Sequence, residues 1–98
     1  MVITHPQVQN DLAAAVKFSD SKSNIVGDKF LQAVETADKQ IKENPLRFHP
    51  HGDRFRRYNL RGFPYHIIYE VDGDWVGILV IRHDRRHPRF GLDRTWPS

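Results

Sequence analysis

The stretch from Leu60 to Arg89, LRGFPYHIIYEVDGDWVGILVIRHDRRHPR, limits what the chain can fold into more than any other part of it. Two runs, Tyr65–Val71 and Trp75–Ile81, are dense in aromatic and β-branched residues, which suit a pleated and half-buried surface. Asp72-Gly73-Asp74 separates them, and Gly73 supplies the positive φ that a short hairpin turn needs. Together they predict a β-hairpin that closes into a cluster of Arg and His. With a two-residue turn, Tyr65, Ile67 and Tyr69 share a face with Val76, Ile78 and Val80. That face is apolar or aromatic throughout and is expected to meet the core. The other carries His66, Ile68 and Glu70 with Trp75, Gly77, Leu79, Ile81 and His83, and is expected to be only partly covered, with both imidazoles on one surface. A three-residue loop would reverse the pairing.

The N-terminal half reads as helical. Val2 and Ile3 are too short to stand as a strand unaided, yet could add an edge to the sheet. Val8, Leu12, Ala15 and Val16 recur at helical spacing after His5-Pro6, which predicts a helix over about Pro6 to Phe18. Ser19 to Asn24 breaks the period with side chains that compete for backbone hydrogen bonds, and Ser23 or Asn24 is a candidate cap. Val26, Phe30, Val34, Ala37 and Ile41 then form one apolar stripe, and Asn44-Pro45 ends the second helix, because the residue before proline is driven out of the α region. Two helices joined by a short polar loop form an antiparallel hairpin whose stripe must cover an apolar surface. The expected class is therefore α+β, an N-terminal helical hairpin packed on one face of a small, mostly antiparallel sheet. Leu46 to Asp53 reads as loop, and Arg54–Leu60 begins a further strand with Tyr58 and Leu60 on one face.

The 98 residues are expected to form a single domain, residues 1–98. The chain has no cysteine, which excludes thiol nucleophiles and cysteine zinc sites and fits a reducing compartment. No apolar run approaches the ~18 residues of a membrane span, and the N-terminus lacks a signal peptide's pattern, so a soluble cytoplasmic protein is expected. His49 and His51, at i and i+2 with no third ligand placed nearby, are a poor metal pattern. No metal or cofactor is expected. Charge is divided unevenly. Residues 1–44 hold five lysines, no arginine and six acids, whereas residues 45–98 hold ten arginines, no lysine and six acids. Arginine's planar fork suits phosphate and carboxylate, so the C-terminal half reads as built to meet an anionic partner.

Three segments carry a family likeness. Ile41-Lys42-Glu43-Asn44-Pro45 ends a helix, Arg57 to Val71 reads RYNLRGFPYHIIYEV, and Ile78 to Pro88 reads ILVIRHDRRHP. In these segments the chain resembles the ParE/RelE superfamily of toxins from bacterial type II toxin–antitoxin systems. The likeness spans the whole chain in element order, with specific motifs from about residue 41 to 90. It implies two helices on an antiparallel sheet, growth inhibition, a role in plasmid stabilization, and a cognate antitoxin as partner. ParE-like members are known as inhibitors of DNA gyrase. RelE-like members cut mRNA in the ribosome and are called mRNA interferases. Where RelE-like strands often carry Arg, this chain has His66; the arginine at the end of the last strand is matched by Arg85. The C-terminal tyrosine of RelE-like members falls near Phe90 or Gly91, neither of which exchanges a proton.

RNA cleavage would need a base, an acid and cations for the phosphate. His66 and His83, with Arg85, are the candidate catalytic set on that reading. For binding the target or antitoxin the candidates are Arg57, Arg61, Arg82, Arg85, Arg86, Arg89 and Phe90. Glu70 is expected on the solvated rim, and Tyr65 and Tyr69 in the core. The resemblance leaves two expectations: a ParE-like toxin that binds gyrase, favoured by His66 and the missing tyrosine, or a RelE-like ribosome-dependent endonuclease.

Overall fold

A computed structural model describes residues 1–20 and 24–97. The elements run β1 (Val2–Thr4), α1 (Val8–Asp20), α2 (Asn24–Glu43), β2 (His49–His51), β3 (Phe55–Asn59), β4 (Tyr65–Asp72) and β5 (Trp75–His83). The five strands form one sheet in the order β1-β5-β4-β3-β2. β1 pairs with β5 in parallel, and every other pairing is antiparallel. The expected α+β arrangement is the observed one. α1 runs into Asp20, past the predicted end at Phe18, and α2 begins at Asn24; the proposed cap Ser23 lies outside the described residues.

The stripe of α2 lies against the sheet, where Phe30, Ala37 and Ile41 are fully buried. Phe30 is the hub, with its ring meeting Phe63 at 5.2 Å and Tyr65 at 5.1 Å, both edge-on. Val8 and Ala15 of α1, with Tyr58, Leu60, Ile67, Tyr69, Val76, Ile78 and Ile81, complete the core. Buried tyrosines need partners for their hydroxyls. Tyr69 donates to the Pro45 carbonyl at 2.6 Å, and Tyr58 to Gln40 Oε1 at 2.9 Å. Burial also pushes the Tyr69 phenol up to about 12. Leu46–Asp53 is not all loop. β2 pairs with β3 as a three-residue edge, and Pro50 is tolerated there because an edge strand has one side without a ladder partner.

The turn has two residues, with Asp72 paired to Trp75 and Gly73 at φ 58°. The expected faces hold only near it. A β-bulge intervenes: Ile68 pairs with Val80 but Tyr69 pairs with Ile78, leaving Leu79 as the extra residue. One inserted residue reverses the alternation beyond it. Ile81 and His83 therefore join Ile67 and Tyr65 on the helix side, whereas Val80 and Arg82 lie with Ile68 and His66 on the far side. The two imidazoles that the sequence placed on one surface sit on opposite faces of the sheet.

The far face is also covered, not partly open. Residues 84–97 form a strap that crosses it, and His66, Ile68 and Val80 are buried. Gly91 lets the strap press close: its φ is 80°, and a Cβ there would stand 2.6 Å from Val80 Cγ2. Gly77 leaves room for Trp75 and Trp96, whose rings meet edge-on at 5.0 Å above it. Glu70 is not on the solvated rim. It is buried, accepting from Trp96 Nε1 at 2.7 Å and from Arg54 Nε at 2.7 Å.

Candidate functional site: the arginine-rich end of the sheet

His66 sits on β4 with only 1% of its surface exposed. Its Nδ1 donates to Asp84 Oδ1 at 2.7 Å, and Arg82 Nε donates to its Nε2 at 2.8 Å. A carboxylate can only accept and a guanidinium can only donate, so the ring carries its single proton on Nδ1. Burial is the main cause that lowers its pKa. The Asp84 hydrogen bond opposes this, and the charges of Arg57 and Arg82 add to the lowering. Every polar atom of this imidazole is engaged.

Arg82 extends the network into the strap. It is 5% exposed, and its Nη1 donates to the carbonyls of Pro88 at 2.6 Å and Phe90 at 2.9 Å. Burial lowers its pKa, with the positive field of Arg57 as the second cause. Arg82, expected among the residues that meet a partner, is instead an internal brace. Arg57 lies at the margin of this network. Its Nε donates to Asn59 Oδ1 at 2.7 Å, and Nη2 reaches Asp84 Oδ1 at 3.4 Å. Its field, with that of Arg82, also lowers the pKa of His51 beneath the larger effect of burial. The region is electropositive, and Asp84 answers only part of that charge.

The strap is tied at further points. Arg94 and Asp11 form a bidentate pair at 2.7 Å with side chains 9% and 5% exposed, and Arg94 Nη1 also donates to the Leu79 carbonyl at 3.0 Å. His5 Nε2 donates to the Thr95 carbonyl at 2.8 Å while its Nδ1 accepts from the Gln7 amide.

The remaining expected residues are distributed around this braced end. Arg61, Arg85 and Arg89 are exposed, and their guanidinium groups meet no protein acceptor among the described residues. Arg86 lies over the Phe90 ring at 4.1 Å from its centroid, and Arg94 stands 5.5 Å from the same ring. His83 packs edge-on against Tyr65 at 5.0 Å, and its Nδ1 accepts from the Arg85 amide at 3.0 Å. The structure thus joins His66, Arg82 and Arg57, and leaves His83 and Arg85 apart from them. Asp84, Asp11, Arg94 and His5 were not singled out in the sequence. Asp11 looked like one polar residue of an amphipathic helix, and no local signal tied it to a partner 83 positions away. Among the described residues no three His, Asp or Glu side chains cluster as a metal ion would require, and no helix is long and apolar enough to cross a membrane.

Comparison with known proteins bears on this arrangement. No curated protein matches the sequence. Among solved structures, one described as the chromosomal ParDE TA system from P. aeruginosa is similar, with a TM-score of 0.68 and 19% identity over 84% of this chain and 92% of that one. At that identity the likeness concerns the fold. The family model described as the ParE toxin of the type II toxin-antitoxin system, parDE, matches residues 2–88, most of the sequence and all seven elements. The chain belongs to the ParE family of type II toxins.

Proposed function

We propose that the chain is a growth inhibitor that acts by binding its target, with DNA gyrase the target that membership of the ParE family favours, and that a cognate antitoxin neutralises it in the cytoplasm. One observation carries the choice of binding over cleavage: His66 has no free nitrogen. Its Nδ1 is committed to Asp84 and its Nε2 to Arg82, so it has no lone pair for a 2′-hydroxyl proton. His83 lies across the sheet from it, so these two imidazoles do not bracket a common phosphate. Arg61, Arg85 and Arg89 stay available to a partner's acidic groups, where a planar fork binds carboxylates in pairs.

Two assays on the purified chain test this reading. Inhibition of gyrase supercoiling, with mRNA left intact in a reconstituted translation reaction mapped by primer extension, is the expected result. Ribosome-dependent, codon-phased cuts in the mRNA would overturn it and favour the endonuclease reading instead. Growth arrest on expression, relieved by co-expression of the neighbouring gene, tests the antitoxin. Harmless accumulation of folded protein would count against a toxin altogether.

A further inference from the structure

A cleft of about 380 Å³ opens between α1 and the strap, at the end of β5. Its walls are apolar at Ala14 and Phe18 on the helix, Ile81 on the sheet and Phe90 on the strap. Asp11 is the one acid that lines it, and both oxygens of that carboxylate are already bound by Arg94. The guanidinium left open is Arg86, held over the Phe90 ring and without a hydrogen bond to protein among the described residues.

Two more donors line the same cleft without an acceptor. His83 Nδ1 accepts from the Arg85 amide, so the neutral ring carries its proton on Nε2, which meets no protein acceptor among the described residues. Tyr65 is the third. Of the three tyrosines in the chain, Tyr58 and Tyr69 each donate to a protein oxygen, and Tyr65 alone, although half-buried, meets no protein acceptor among the described residues. Donors left open on the wall of an apolar cleft define their ligand by what they lack. They call for an acceptor that carries negative charge, next to a large apolar group.

We propose that this cleft seats a peptide segment of the antitoxin, an aromatic or large aliphatic side chain beside an Asp or Glu carboxylate. The apolar side chain lies over Ala14 between Phe18 and Phe90, and the carboxylate takes bonds from Arg86, His83 Nε2 and the Tyr65 hydroxyl. The proposal rests on the reading that an antitoxin silences the chain, and adds where its anchor sits and what that anchor is made of. Size and charge favour peptide over nucleic acid. The cleft holds about one large side chain and one anion, with one guanidinium, Arg86, still open to receive it, whereas a nucleic-acid backbone is gripped by many cations along its length.

Two measurements test it. The first titrates isotope-labelled protein with the blocked dipeptide acetyl-Phe-Glu-amide, with acetyl-Phe-Gln-amide and AMP as comparisons. Saturable shifts confined to Ala14, Tyr65, His83 and Phe90, weaker by about tenfold for the glutamine peptide and for Arg86→Ala, are expected. No shift up to about 10 mM, shifts elsewhere, or equal binding of AMP would overturn the proposal. The second measures the affinity of the antitoxin from the neighbouring gene for wild type, Ala14→Trp and Arg86→Glu. Both residues are exposed, and circular dichroism checks each variant's fold. A loss of about tenfold or more in both variants is expected. Undiminished affinity would remove the cleft as the seat while leaving the antitoxin reading intact. An antitoxin that fails to bind wild type would overturn that reading and the named occupant together, whatever the dipeptide does.

Discussion

The two faces of the sheet are held by different physics. The helix face is closed by Phe30, Ile41, Ala37 and Tyr69 against Ile67, Ile78 and Ile81, all apolar or nearly so. Burial of this kind is non-directional and spread over many contacts, so no single neighbour decides it. The strap face also buries Ile68 and Val80, but its strap is pinned by buried polar groups in pairs: Arg94 on Asp11, Arg82 on His66, Trp96 on Glu70 and His5 on Thr95. A buried charge is tolerable only while its partner stays. The first face degrades by degrees, and the second depends on complementary pairs.

Truncation on each face sharpens this contrast, beginning with the largest effects. Phe30→Ala should destabilise by about 3–5 kcal/mol, as expected for emptying a fully buried aromatic site. Arg94→Met should cost a similar amount, about 3–5 kcal/mol, because it leaves the Asp11 carboxylate buried with only the Ile81 amide to answer it. The two differ in what restores them. Adding Asp11→Leu to Arg94→Met removes the stranded charge and should recover part of the loss, the Ile81 amide then losing its acceptor. Chemical denaturation of the single and double variants decides it, and a double variant no more stable than Arg94→Met would break the comparison. Gly91→Ala comes next, at about 2–4 kcal/mol, since it combines a left-handed backbone with a Cβ driven into Val80. A thermal melt within a degree or two of wild type would show that the strap can lift without loss.

The same contrast explains what the sequence revealed. The helix face announced itself through period: the step of four, four, three and four from Val26 to Ile41, and the alternation from Tyr65 to Tyr69. Gly73 marked the turn because only its φ was needed there. The bulge at Leu79 left no such mark, since Ile78-Leu79-Val80-Ile81 is apolar throughout and reads equally well in either register. That one residue carried His83 to the opposite face from His66 and brought Arg82 onto the face of His66, beneath the strap. The strap was illegible for another reason. Arg94, Trp96 and Thr95 find their partners at Asp11, Glu70 and His5, pairings set by the folded topology and not by any local pattern. Of the candidate arginines, Arg61, Arg85, Arg86 and Arg89 lie exposed as a partner-facing set would require, and Arg82 does not.

The smallest effect is also the most specific to the strap face. His66 is neutral in the folded state with its pKa lowered chiefly by burial, so at acid pH the unfolded chain takes up a proton that the native one resists. Its contribution to stability is complete above the unfolded value of about 6.5 and is lost as pH falls from there through the depressed native value. The slope within that window is at most about 1.4 kcal/mol per pH unit for one group. His66→Gln keeps an acceptor for Arg82 and a donor for Asp84 but cannot titrate. It should fold, and its stability should change less between pH 6.5 and about 5, with His51, also lowered, supplying part of the slope that remains. An identical pH profile in the variant would place the titration elsewhere. Protonation of His66 sets an N–H against the Arg82 Nε–H at 2.8 Å, and Arg82 also holds Pro88 and Phe90. Amide exchange in residues 86–92 should therefore accelerate with acid before exchange in α2 does. The core side chains that close the helix face, Phe30, Ala37, Ile41, Ile67, Ile78 and Ile81, carry no titratable group, and simultaneous opening of both faces would mean that the strap is not a separable unit.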